Sequence, residues 1–147
     1  MKLTTLADFE LSYTWMEFLD FGNGGQYLAI VDGSFTGDQL AGAVRFLNVP
    51  VKRPDNVNLP ALRGVLTTQS GTKVYLEMNG VSLLRAADQA RVCTASVMFR
   101  SGDPAYARLN NAFGLMEGIL DASNQARGRI YLCENTHGLN EVAAPAR

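Results

Sequence analysis

Arg63 breaks the apolar run Leu62-Arg63-Gly64-Val65-Leu66, and a guanidinium set among strand residues needs a counter-charge or an anionic ligand. By period-two alternation it shares a face with Ala61, Val65 and Thr67. Two readings stand: an outward or ion-paired structural arginine, or, if that face is interior, an anchor for a ligand carboxylate or enolate. Tyr75 and Glu77 share one face of the next strand, opposite Val74, Leu76 and Met78. If the two strands form a hairpin, Glu77 either pairs with Arg63, lies outside, or serves as a buried general base with a raised pKa, with Tyr75 as a further proton carrier. Arg63, Tyr75 and Glu77 are therefore the candidate catalytic residues. Trp15, Arg63, Arg100, Tyr106 and Asn110 are the candidate ligand contacts. Arg100 ends a strand, where side chains reach a rim. Tyr106 and Asn110, four apart, share a face of one helical turn, and Asn110 either ties that turn to the sheet or donates to a ligand oxygen. Trp15, Tyr13, Phe35, Phe46 and Phe99 read as core, or as an aromatic pocket lining if the interior is not filled.

The remaining chemistry is sparse. Of the reactive side chains, His137 is the single histidine, and Cys93 and Cys133 lie in separate strand-like runs. That inventory gives no conventional zinc site, and a Ser-His-Asp or Cys-His device would require His137 to fold back from the C-terminal tail. The cysteines read as two small buried hydrophobes in a reducing compartment rather than a disulfide. No nucleotide or cofactor motif is present, so the expectation is no metal and no cofactor.

These residues must be positioned by strands. Phe9-Glu10-Leu11-Ser12-Tyr13-Thr14-Trp15 alternates apolar with polar and predicts a row of four large side chains facing the interior. Gly22-Asn23-Gly24-Gly25 supplies a turn. Further strands are predicted over 26–35, 39–47, 61–68, 73–84, 92–100, 111–121 and 128–134. Three prolines, Pro50, Pro54 and Pro60, make 48–60 a long loop. Asp103 followed by Pro104 reads as an N-cap and first position of one short helical turn over 103–110. About eight or more strands, many carrying glycines, predict an all-β fold, a small antiparallel barrel rather than a sandwich. Residues 1–135 form its single domain and 136–147 a flexible tail.

Composition narrows the partners. The chain has 147 residues, 47% hydrophobic and 18% charged, with a formal net charge of −1. One domain of that size buries roughly 70% of its unfolded surface. Lys and Arg form no stripe, which argues against nucleic acid, and no apolar run approaches the ~20 residues of a membrane helix. The expectation is a cytoplasmic protein with a small organic ligand. Strands such as Tyr27–Val31, apolar on both faces, predict a homo-oligomer.

The order of motifs adds a resemblance. It runs from the glycine loop through Gly33-Ser34-Phe35-Thr36-Gly37-Asp38-Gln39-Leu40-Ala41-Gly42 and Leu62-Arg63-Gly64-Val65-Leu66-Thr67-Thr68. It continues with Gly71-Thr72-Lys73-Val74-Tyr75, Gly102-Asp103-Pro104-Ala105-Tyr106-Ala107-Arg108-Leu109-Asn110 and Gly128-Arg129-Ile130-Tyr131. In this the chain resembles the bacterial domain-of-unknown-function family 3237, also called uncharacterised protein family 0311. The resemblance implies a small antiparallel β-barrel of roughly calycin-like build, often oligomeric, and no settled reaction. Asn110 matches the family's asparagine. The chain departs from the family at Asn48-Val49-Pro50-Val51, at Gln69-Ser70 and at Arg108. The function expected on all these grounds is a small-molecule-binding barrel. It would act as a cofactor-free cyclase, isomerase or hydratase on a partly apolar carbonyl or carboxylate compound, or else as a carrier, a sensor or an assembly protein.

Overall fold

Period-two patterning becomes strand nearly everywhere it occurs. The computed structural model describes residues 1–137. Its strands are β1 (Lys2–Asp20), β2 (Gly25–Thr36), β3 (Gly42–Asn48), β4 (Val51–Lys52), β5 (Asn58–Leu59), β6 (Ala61–Thr67), β7 (Lys73–Arg85), β8 (Ala90–Arg100), β9 (Phe113–Leu120) and β10 (Gln125–Glu134). One 3-10 helix, Pro104–Asn111, joins β8 to β9. All pairings are antiparallel. The order β1-β2-β3-β6-β7-β8-β9-β10 returns to β1, closing an eight-stranded barrel. β1 makes the closure by pairing with β10 from Lys2↔Glu134 to Ser12↔Gln125 and with β2 from Asp8↔Thr36 to Asp20↔Gly25.

The long proline-bearing loop holds two short strands that sequence patterning does not predict. β4 pairs with β2 and β5 with β7, carrying the wall past the ends of β3 and β6. Among the described residues no helix is long and apolar enough to cross a membrane. The tail expected to be flexible falls mostly in 138–147, outside the described residues.

Alternate residues of each strand fill the interior. Phe9, Val31, Phe46, Leu66, Leu76 and Val97 are all buried there. Phe35 lies between Phe9 and Phe46, with ring centroids 6.2 and 6.3 Å apart. Strand glycines make room for this packing. Gly128 sits opposite Gly118, and a Cβ at Gly128 would fall 2.6 Å from the Phe9 ring. The aromatic ring thus covers a bare glycine pair, a device that lets strands coil and close.

One barrel end is sealed by the helix. Asp103 caps it, accepting from the Ala105 N–H at 2.9 Å, with Pro104 at its start. Leu109 from the helix and Leu40 from the β2–β3 connection are both fully buried in the core. The other end, where β3 stops at Asn48 and β6 begins at Ala61, stays open.

The predicted inward row of β1 is corrected at its last member. Phe9, Leu11 and Tyr13 face inward, but the register shifts between Tyr13 and Trp15. A bulge adds one residue to the strand and resets which side chains point in. Trp15 consequently lies on the outer surface, 46% exposed, rather than in the core or lining the interior.

Candidate ligand site at the open end of the barrel

The structure brings four of the sequence-predicted site residues together, on the outside. In β6 the interior face carries Leu62, Gly64 and Leu66, so Arg63 points outward. The large apolar side chains take the interior positions and parity sends Arg63 to the surface. Its cross-strand neighbour is Glu77, with Nε 3.8 Å from Oε1 and both side chains about 40% exposed. Arg63 also donates to the Leu62 carbonyl at 2.8 Å and to Asn79 Oδ1 at 3.1 Å. The Tyr75 hydroxyl donates to Glu77 Oε1 at 3.0 Å, and desolvation, then Glu77, pushes the Tyr75 phenol upward. Arg100 is the cross-strand neighbour of Tyr75 and is exposed. This is a surface ion-pair network, and the interior placement considered for Arg63, Tyr75 and Glu77 does not hold.

Tyr106 and Asn110 lie at the sealed end. Tyr106 packs against the core. Asn110 accepts from the Ser101 N–H at 2.7 Å and donates to the Ser101 carbonyl at 3.0 Å. Asn110 therefore ties the helix to the end of β8. Cys93 and Cys133 are both free thiols, each half-buried.

Polar side chains that face inward cluster at the open end. The interior row of β1 ends in Tyr13, that of β3 in Asn48 and that of β7 in Ser82. β8 enters the barrel with Arg91 and Cys93. Together they line a mouth of about 290 Å³. Beneath it lies an apolar recess of about 40 Å³, which shares Tyr13, Pro60, Cys93 and Leu120 with the mouth.

Asn48, only 2% exposed, organises this site. Its Nδ2 donates to the Tyr13 hydroxyl oxygen at 2.8 Å, and its Oδ1 accepts from the Ala61 N–H at 3.1 Å. With the amide donating to the phenol oxygen, the Tyr13 O–H is left free to donate into the mouth. Burial pushes the Tyr13 pKa up to about 12, against the smaller opposing effect of the Asn48 bond. Tyr13 is thus a neutral donor at physiological pH, suited to a carbonyl oxygen or an oxyanion.

Burial likewise pushes the Cys93 thiol up. Its Sγ sits 3.5 Å from the Ser82 hydroxyl, and a protonated buried thiol is a poor nucleophile. Arg91 Nη1 donates to the Asn56 carbonyl at 2.8 Å and to the Ser82 carbonyl at 3.2 Å. Asn58 contributes a buried Oδ1 that has no hydrogen-bond partner.

Sequence reading passed over Asn48, Ser82, Asn58 and Arg91, and treated Tyr13 only as core or pocket lining. A signal was available. Each of the rows Phe9-Leu11-Tyr13, Val44-Phe46-Asn48 and Val74-Leu76-Met78-Gly80-Ser82 turns polar at the same end of the barrel. A polar residue that continues an apolar inward row marks where the interior opens.

No family model matches the chain, and no curated protein matches it. Solved structures do. A β-barrel-like protein from Acinetobacter baumannii superposes with a TM-score of 0.81 at 16% identity, covering 90% of this chain and 96% of that one. A protein of unknown function from Clostridium acetobutylicum gives 0.80 at 16% identity, covering 91% of this chain and 100% of its own. An enzyme from Penicillium herquei gives 0.72 at 16% identity, covering 90% of this chain and 94% of its own. At these identities the likeness is one of fold: this chain is a closed β-barrel of the kind those proteins share.

Proposed function

We propose that the open end of the barrel binds a small, partly apolar carbonyl compound, held by a hydrogen bond from Tyr13. The observation that carries this is the Tyr13–Asn48 pair, which fixes a neutral phenol with its O–H free beneath an open mouth. A mouth of about 290 Å³ stands at the small end of ligand pockets, which run from roughly 300 to 1,000 Å³. Any turnover at this site is cofactor-free, of the cyclase, isomerase or hydratase type, with Tyr13 polarising the carbonyl oxygen as negative charge develops. The structural likeness to an enzyme supports looking for turnover. The motif resemblance to family 3237 belongs to the same proposal.

A second reading, a carrier or sensor without turnover, is supported by the interior rows. Among the described residues Asp121 is the carboxylate that lines the mouth, and its Oδ1 accepts from the Ser123 and Gln125 N–H groups at 2.8 and 3.0 Å. A carboxylate occupied in this way is a weak candidate for a base.

A binding screen of small aromatic and short-chain carbonyl compounds, read by calorimetry and followed by product analysis, tests both. Tyr13→Phe should weaken each binder by about 3- to 10-fold, the value of one neutral hydrogen bond. New product formed by wild type and not by Tyr13→Phe selects the enzyme. Binding without product selects the carrier, and affinities equal in the two proteins remove Tyr13 from the site.

A further inference from the structure

Arg91 is the feature of the mouth that this reading leaves unused. Arg45, Arg53, Arg63, Arg85 and Arg129 each face a carboxylate. Arg91 pairs with none among the described residues, and it is half-buried, unlike Arg100, Arg108 and Arg127, which also lack a carboxylate partner but are exposed. Its Nη1 is held by two backbone carbonyls, Ser82 on β7 and Asn56 in the β4–β5 turn. Asn56 stands in the left-handed region at φ 64°. Two carbonyls fix the plane of the guanidinium without neutralising it, and Nε and Nη2 remain without a protein partner among the described residues. A cation drawn partly out of water and given only neutral acceptors is favoured by an incoming anion, and the planar fork of arginine suits a carboxylate.

The surroundings set the rest of the ligand. Asp121, the other charged group lining the mouth, has its Oδ1 engaged in its own turn. Inward from Arg91 lie Cys93, the Tyr13 ring and Leu120, above an apolar recess of about 40 Å³. That recess is small beside the mouth, about 40 Å³ against 290 Å³, so it takes one end of a ligand and not its whole body. Resting on the mouth reading above, we infer that Arg91 selects a small monoanionic organic acid no larger than one ring with a short substituent. Its carboxylate meets the free edge of Arg91, and its apolar body points toward Tyr13 and Leu120.

Arg91 also holds the β4–β5 turn in place, so its test must separate charge recognition from structure. Backbone amide signals of the full chain would be followed by NMR during titration with matched probes: benzoate against benzamide, phenylacetate against phenylacetamide, and butanoate against butanamide. The expected result is that acids bind tighter than their amides by about tenfold or more, with shifts at Tyr13, Ser82 and Cys93. Arg91→Met should remove that preference while amide binding persists, and Arg91→Lys should keep part of it. Acids and amides that shift the mouth with equal affinity, or a preference that survives Arg91→Met, overturn the assignment of Arg91 and leave the mouth reading standing. Should no probe of either kind move the mouth signals, the mouth reading itself fails. If Arg91→Met does not fold, the acid-to-amide ratio in wild type and Arg91→Lys decides.

Discussion

Replacing Asn48 with leucine tests the hinge between fold and site. The side chain is 2% exposed and makes two bonds, to the Tyr13 oxygen at 2.8 Å and from the Ala61 N–H at 3.1 Å. Leucine of similar bulk fills the space but answers neither partner. The Tyr13 hydroxyl faces the open mouth, where solvent can replace the lost partner, so losing that bond costs about 0.5–1 kcal/mol. The Ala61 N–H lies against the wall and is left without an acceptor, at about 1–3 kcal/mol. The added apolar burial of leucine returns about 1 kcal/mol. The net loss is about 0.5–3 kcal/mol, a fall in Tm of about 1.5–9 °C at some 3 °C per kcal/mol for a chain of this length. Chemical and thermal unfolding of wild type, Asn48→Leu, Tyr13→Phe and the double variant would give the coupling directly. It should be about 1 kcal/mol. Because the Asn48 bond lowers the Tyr13 pKa, Asn48→Leu should also push the phenol above its wild-type position in a 295 nm absorbance titration. A variant within about 0.5 kcal/mol of wild type, with an unmoved phenol, would refute the reasoning, since surface-like substitutions have effects of that size.

Two further predictions follow from the site. The Tyr13 pKa rises to about 12 on folding from an ordinary value of 10.0, so between those values the folded state holds a proton that the unfolded state has lost. Its contribution is fully present below pH 10 and declines as pH rises toward 12, by at most about 2–3 kcal/mol. Denaturation at stepped alkaline pH should show that slope in wild type and a flatter one in Tyr13→Phe; equal slopes would contradict the assigned burial. Arg63→Ala removes one side of an exposed pair and should change stability by about 0–1 kcal/mol, leaving the affinity of any mouth ligand unchanged. Loss of binding in that variant would put the outer network back into the site.

The fold was largely legible because most wall strands are period-two runs between turn signals. Lys73–Arg85 and Ala61–Thr67 fall within a residue of the expected spans. β1 was legible only in part: shifts at Thr5/Ala7 and Tyr13/Trp15 break the period that sequence reading relies on, and Trp15 was misplaced for that reason. The site was far less legible. Whether Arg63 faces in or out is a single bit of parity, set by the competing burial of Leu62 and Leu66 and not by Arg63 itself. Arg91 and Asn56 lie 35 positions apart, and only the pairing of β5 with β7, itself paired with β8, brings the β4–β5 turn over the start of β8. Asn110, by contrast, was placed correctly in one of its two readings, because its partner Ser101 lies only nine residues away.

The ring of strands is sealed by residues from opposite ends of the sequence, Lys2 beside Glu134. Every other long strand neighbour is close along the chain, so β1 to β10 can assemble as an open curved sheet before it closes. In that precursor β1 and β10 are bare edges, each with a row of unpaired N–H and C=O groups. Closing them brings together segments more than a hundred residues apart, a step whose entropic cost is met only when most of the wall exists. The late joining of β1 to β10 should therefore limit the speed of folding, in the range of roughly milliseconds to seconds typical of non-local β topologies. Until it happens, the two edges are where one chain can capture another.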